Sequence, residues 1–221
     1  MTKGMRGAFA VGMAISSLGL TAAANAAVTN IYTLNQDGCS SKCSPNSQDN
    51  VSVVDDGSGT LDVTLTLFGG DSIHNNPDAN HHALVFDLAD APAIIISGLP
   101  SPFTANGDQI AASYKDPSFD SFEYDINWPK VRGSKPTITT FSFDMTGVGG
   151  GLTLSDIIGN GGIYFATDII GANGNTGNVG ANSFTTTGAV PEPSTWAMLL
   201  MGFAGLGFAG YRGRKRSAAV A

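Results

Sequence analysis

All three histidines of the chain, His74, His81 and His82, fall in one stretch that also holds Asp71 and Asp78. Imidazole nitrogens and carboxylate oxygens are the donors that hold Zn²⁺ and similar ions. Those five residues are therefore the candidate metal ligands. Their spacing is not that of a compact site: no His-x-x-x-His helix is present, and adjacent His81 and His82 point to opposite faces of an extended strand. The stretch reads first as a hydrophilic loop leading into a strand at 83–88. A transition-metal site, a calcium site and a solvent-facing sugar contact are the alternatives.

A second set is Asp168 followed by Gly171 to Asn178, rich in asparagine. Carboxylate and amide oxygens are hard ligands of the kind Ca²⁺ takes. The spacing is neither an EF-hand nor a repeated nonapeptide, and Asn-Gly pairs favour tight turns. No other cofactor is expected, and Ca²⁺ enters only as this alternative. Catalytic chemistry finds less support. There is no Gly-x-Ser-x-Gly, and neither cysteine sits in a nucleophile setting. Glu123 and Asp125 are a carboxylate pair of the type that cleaves glycosides. Two apart on a strand, they read as a solvated polar face opposite Phe122, Tyr124, Ile126 and Trp128. The expectation is a protein that is not an enzyme.

Cys39 and Cys43 are the only cysteines, spaced C-S-S-K-C in a turn-rich segment. In an oxidising compartment they are expected to form a local disulfide. So small a loop removes little chain entropy, so the bond pins a turn and does not hold the fold.

The elements that must position these residues are strands. Leu61, Val63, Leu65 and Leu67 alternate with polar neighbours, as do Leu84, Phe86 and Leu88, the aromatic series 122–128, and Phe141, Phe143 and Met145. Ala93 to Ser97 and Ile163 to Ile170 suit more buried strands, and only Leu154 to Ile158 invites a helical turn. Glycine- and asparagine-rich turns separate the runs. The expected class is all-β, a sandwich or jelly roll over residues 27–189.

The net charge of −7 understates the acidity of that domain. Six of the eleven basic residues lie in the two ends, leaving Lys42, Lys115, Lys130, Arg132 and Lys135 against the aspartates. Nucleic acid and anionic membrane surfaces are excluded as partners of a basic patch.

The ends carry addresses. Lys3 and Arg6 precede an apolar run from Ala8 to Leu20, closed by Ala24-Asn25-Ala26. That is the order of a secretory signal peptide over 1–26, to be read by the Sec translocon and signal peptidase. At the other end, residues 190–216 combine Pro191-Glu192-Pro193, an uncharged run at 195–211 and a basic cluster at 212–216. As a helix the run is about 25 Å long, short for a hydrocarbon core of about 30 Å. Trp196 and Tyr211 would sit at the two interfaces, and Arg212, Arg214, Lys215 and Arg216 would stay cytoplasmic. The prolines hold the motif extended just outside the bilayer.

This tail resembles the PEP-CTERM sorting signal of Gram-negative bacteria. The resemblance implies recognition by an exosortase, a membrane-embedded cysteine protease, after transient insertion in the inner membrane. It also implies delivery to the envelope surface or matrix, in company with exopolysaccharide and biofilm production. More loosely, Phe119 to Ile126 and Gly162 to Ile169 resemble blocks in exported domains that precede such tails, with no activity attached. The expected function is structural or adhesive. A calcium-assisted carbohydrate-binding module and a small polysaccharide hydrolase or lyase are the rivals.

Overall fold

A computed structural model describes residues 27–39, 42–43, 45–74, 82–105, 113–116, 118–128, 137–188 and 199–206. The segment 1–26 expected to be a signal peptide, Asp78, His81, Pro191, Glu192, Pro193, Trp196, Tyr211 and the basic cluster 212–216 lie outside them.

The domain is all-β. Its strands are β1 (Val28–Asp37), β2 (Asn50–Asp55), β3 (Thr60–Thr66), β4 (Ser72–Ile73), β5 (Leu84–Leu88), β6 (Ile94–Ser97), β7 (Thr104–Ala105), β8 (Tyr114–Asp116), β9 (Asp120–Phe122), β10 (Tyr124–Asn127), β11 (Thr140–Gly147), β12 (Ile157–Ile158), β13 (Phe165–Ile170) and β14 (Thr176–Thr187). One antiparallel sheet runs β6-β11-β3-β2-β1-β14-β13-β5-β10-β7, with β12 on β5 and β4 on β13. The hairpin β8–β9 stands apart from it.

Two-residue alternation builds the core. Val51, Val53, Leu61, Val63, Leu65, Phe141, Phe143 and Met145 are buried, while their neighbours along β2, β3 and β11 are half-buried or exposed. Strands distant in the sheet order meet across this core. Phe86 of β5 stacks at 6.4 Å from Phe143 of β11, and Phe103 at 4.3 Å from Phe141. The sheet thus curls on itself into a nearly closed barrel or sandwich, with one main apolar cluster inside. Curling leaves few free edges, the usual reason a long sheet closes.

β5 and β10 depart from simple alternation because both their faces are covered. The inner face carries Leu84, Phe86, Leu88, Tyr124 and Ile126 into the main core. The outer face lies under β8–β9, where Val85, Phe122, Ile163 and Ala166 form a smaller cluster with Tyr114 and Phe119 against it.

Three expectations need correction. Phe122 does not share a face with Tyr124, because the chain bends at Glu123 and puts Phe122 in the outer cluster. Asp125 is not solvated but fully buried, the hairpin having covered its face. The run at 93–97 is an edge strand: Ile94 is buried, yet Ile95 is 49% exposed. The helical turn at 154–158 is a single 3₁₀ turn, Leu154–Asp156, that leads into β12. The two strands at the middle of the sheet order, β1 and β14, add Tyr32, Leu34, Val179 and Ala181 to the core, although the sequence pattern does not single them out. In the tail, residues 199–206 are helical and exposed, and no helix among the described residues is long and apolar enough to cross a membrane.

Candidate functional site

Of the five metal candidates, the structure describes Asp71, His74 and His82. Asp78 and His81 lie outside the described residues, Asp71 goes to one pole of the domain, and His74 and His82 go to the covered outer face. On that face His74 Nδ1 lies 2.7 Å from Asp168 Oδ2, and His82 Nδ1 lies 3.1 Å from Asp125 Oδ2 and 3.2 Å from Asn127 Oδ1. Both partners of His82 Nδ1 are acceptors, so that nitrogen carries the proton. Its Nε2 is buried and has no hydrogen-bond partner among the described residues. Asp116, from β8, accepts from Asn178 Nδ2, and burial raises its pKa. Asn178 itself pairs with Asp168 in the β13–β14 register.

This is a polar layer pressed between hairpin and sheet, and β-sheet parity assembles it. Asp125 and Asn127 of β10, Asp168 of β13 and Asn178 of β14 are all on the faces turned away from the main core. Burying carboxylates is costly unless each is hydrogen-bonded, and here imidazoles and amides supply the bonds. The layer does not bring three ligand atoms together from the described residues. The one such group there, with atoms within 4.8 Å of one another, is Asp37, Cys39 and Cys43, and its two sulfurs are joined in a disulfide.

The expected Cys39–Cys43 bond is present, and it belongs to a pole built from loops. Cys43 is buried, and a Cβ on Gly177 would lie 2.4 Å from Cys39 Sγ, so β14 can pass the disulfide only as glycine. Lys42 carbonyl accepts from both Asn173 and Asn175 side chains, at 2.7 and 2.9 Å. The asparagine-rich turn is thus a clamp on the disulfide loop. Beside it Asp49 and Asp71 are buried together. Phe68 N–H donates to Asp49 Oδ1 at 2.6 Å, Ala172 N–H to Asp71 Oδ1 at 2.7 Å, and Asn46 N–H reaches Oδ2 of both at 3.1 Å. Burial, with Asp71 alongside, pushes the Asp49 carboxyl up to about 7. Asp49 had no sequence signal, being one aspartate among many.

The opposite pole is where both chain ends leave. β1 and β14 pair antiparallel with Thr29 opposite Thr187, so the start of the domain and its last strand residue lie side by side. β13 pairs with β14 only as far as Ala181, and all of Asn182–Thr187 is exposed. Phe184, 42% exposed, stacks on Tyr32 at 5.0 Å and meets Tyr164 edge-on at 5.4 Å.

No curated protein and no solved structure matches the chain. Residues 189–216, which begin two positions beyond the end of β14, match the PEP-CTERM protein-sorting motif, a signal that implies an exported protein sorted by an exosortase.

Proposed function

We propose that this chain is a non-enzymatic exported protein of the cell surface or extracellular matrix, with a structural or adhesive role beside exopolysaccharide. The observation that carries the reading is the junction between domain and signal. β14 joins the β1 side of the sheet to the β13 side and ends at Thr187, while the sorting motif starts at 189. Removing the tail therefore takes no strand and no core residue from the domain. The signal segment is separable on the same ground, since the first described strand begins at Val28. Cargo of this kind must survive two cuts unchanged, and a sheet whose terminal strands pair with each other is suited to that.

Adhesion has a plausible surface in the outward face of β3 and β11. Thr60 and Thr146 hydroxyls meet at 3.0 Å, Thr64 and Ser142 at 2.8 Å, and Thr66 and Thr140 at 3.5 Å. Hydroxyls already held in cross-strand pairs lose little freedom when they contact another hydroxyl-bearing polymer. The acidic charge balance of the domain directs the reading toward neutral glycans.

The test is fractionation of cells that produce the full chain with Pro191, Glu192 and Pro193 all replaced by alanine. The precursor should accumulate at the inner membrane with its tail intact. Normal delivery of this variant to the surface would end the sorting reading. The adhesive part is tested separately by retardation of the protein in gels containing dextran, which Thr64→Val with Ser142→Ala should weaken.

A further inference from the structure

We infer that the unpaired edge of β14, Asn182 to Thr187, is the docking strip by which the folded domain engages the sorting protease. The inference deepens the sorting reading and rests on it. Three observations carry it. First, β14 runs past its neighbour: β13 pairing stops at Phe165 with Ala181, and the last bond on that side is Tyr164 N–H to the Ala181 carbonyl at 2.8 Å. Beyond Ala181 the strand is held by β1 alone, so among the described residues its other edge has no strand beside it. Alternate main-chain N–H and C=O groups on that edge point outward, the arrangement that an added strand uses.

Second, the edge lacks the charge and proline that commonly protect such edges, and the register shift against Tyr32 and Leu34 falls at Asn182 and Ser183, leaving Phe184 to Thr187 in regular pairing with β1. Natural edge strands carry lysine, proline or inward charge to prevent pairing with another chain. Asn182-Ser183-Phe184-Thr185-Thr186-Thr187 has no charge and no proline, and three of its six residues are threonine, which favours strands. Phe184 stands beside it as an exposed aromatic anchor supported by Tyr32 and Tyr164. Third, the chain is too short for the edge to be anywhere else. From Thr187 to Pro191 is four residues, at most about 14 Å when extended. A protease that grips several residues of extended backbone around the motif must have this pole of the folded domain against it. A second copy of the chain has no such tether, and so no raised local concentration.

In this arrangement a strand of the protease adds to the β14 edge, and the motif continues from it into the cleavage cleft. Cutting is then coupled to folding, since the edge exists only when β1 holds β14.

The experiment follows conversion of full-length precursor to the trimmed form by pulse-chase in cells that contain an exosortase. Two variants are compared with wild type and with the Pro191-Glu192-Pro193 triple alanine. One is Thr185→Lys with Thr187→Lys, which charges the edge. The other inserts a Gly-Ser spacer of eight residues after Gly188, which touches no strand and so leaves folding alone. Both should be trimmed at least about tenfold more slowly, the loss expected from one or two main-chain hydrogen bonds. Trimming of the spacer variant at the wild-type rate overturns the docking strip, provided the triple-alanine precursor stays uncut. A photo-crosslinker at Thr185 that yields the homodimer and no protease adduct overturns it as well. Normal trimming of the triple alanine would instead strike the sorting reading itself.

Discussion

The two ends of β14 are built on opposite plans. At its start, Gly177 presses on a disulfide, Asn173 and Asn175 clamp the Lys42 carbonyl, and Asp49 and Asp71 share backbone donors from three loops. At its finish, the strand has one partner, and all six residues are exposed. One pole is closed by a covalent bond and buried polar bonds, the other by a single ladder of β pairing. The difference follows the direction of the chain. The closed pole is where loops cross over one another with no second strand to hold them. The open pole is where both termini depart and where an enzyme has to reach the tail. Stability is therefore concentrated at the end farther from the sorting motif, and access at the end next to it.

The comparison can be broken most forcefully through Asp49. A carboxyl whose folded pKa lies above its unfolded value contributes its full stability below the unfolded pKa and loses it as pH rises through the folded one. For Asp49 that window runs from 3.8 to about 7. The domain should thus be less stable at pH 8 than at pH 5, by on the order of a few kcal/mol. Melting temperatures at the two pH values measure it, and Asp49→Asn should flatten the slope. A wild-type profile that rises with pH would show that the pair is not held as described. Asp116 and Asp87, also raised by burial, act in the same direction.

Breaking the disulfide should cost less. Replacing Cys39 and Cys43 with serine releases a loop only a few residues long, worth about 2 kcal/mol by chain entropy. Denaturant titration of the double variant should give a lower midpoint with an unchanged slope, because, although Cys43 touches the main core, no strand of the sheet lies within the loop. Loss of cooperative unfolding would mean that the disulfide holds more than a turn.

The smallest effect belongs to the open pole. Phe184→Ala removes an exposed ring and its contacts with Tyr32 and Tyr164, and should cost about 1 kcal/mol. The sharper reading comes from hydrogen exchange. Amides of Asn182 to Thr187 should exchange faster than those of Val179 to Ala181 on the same strand, since only the latter have strands on both sides. Equal protection along β14 would erase the distinction between the poles.

Much of the inner sheet was legible as text. The alternations at 61–67 and 141–145 appear in the structure as core-facing strands, because in them each buried position is apolar and each outer one polar; at 84–88 the inward residues were legible, but Val85 and Asp87 on the other face are buried as well. β1 and β14 were not legible. Their inward positions include Asn30, while β14 is largely exposed beyond Ala181, so apolar residues do not mark the period. Each places only two apolar side chains in the main core, Tyr32 and Leu34 from β1 and Val179 and Ala181 from β14, too few to mark a period in one strand taken alone. The polar layer was misread in the same way. Asp125 looked like solvated surface because nothing local says that residues 114–122 will fold over it. The histidine stretch suggested one site, whereas β4 and β5 carry its two ends to different carboxylates, Asp168 and Asp125.

Local chemistry was enough for the sorting motif at the C-terminal end, the all-β class and the disulfide. A sorting motif is read as a short extended peptide, alternation is a property of neighbouring residues, and Cys39 and Cys43 are four apart. Only the tertiary structure decided which aspartates are buried, which strands join the two halves of the sheet and which edge stays open. Those depend on what a residue faces across the fold, and the partners, such as Thr29 and Thr187, lie far apart along the chain.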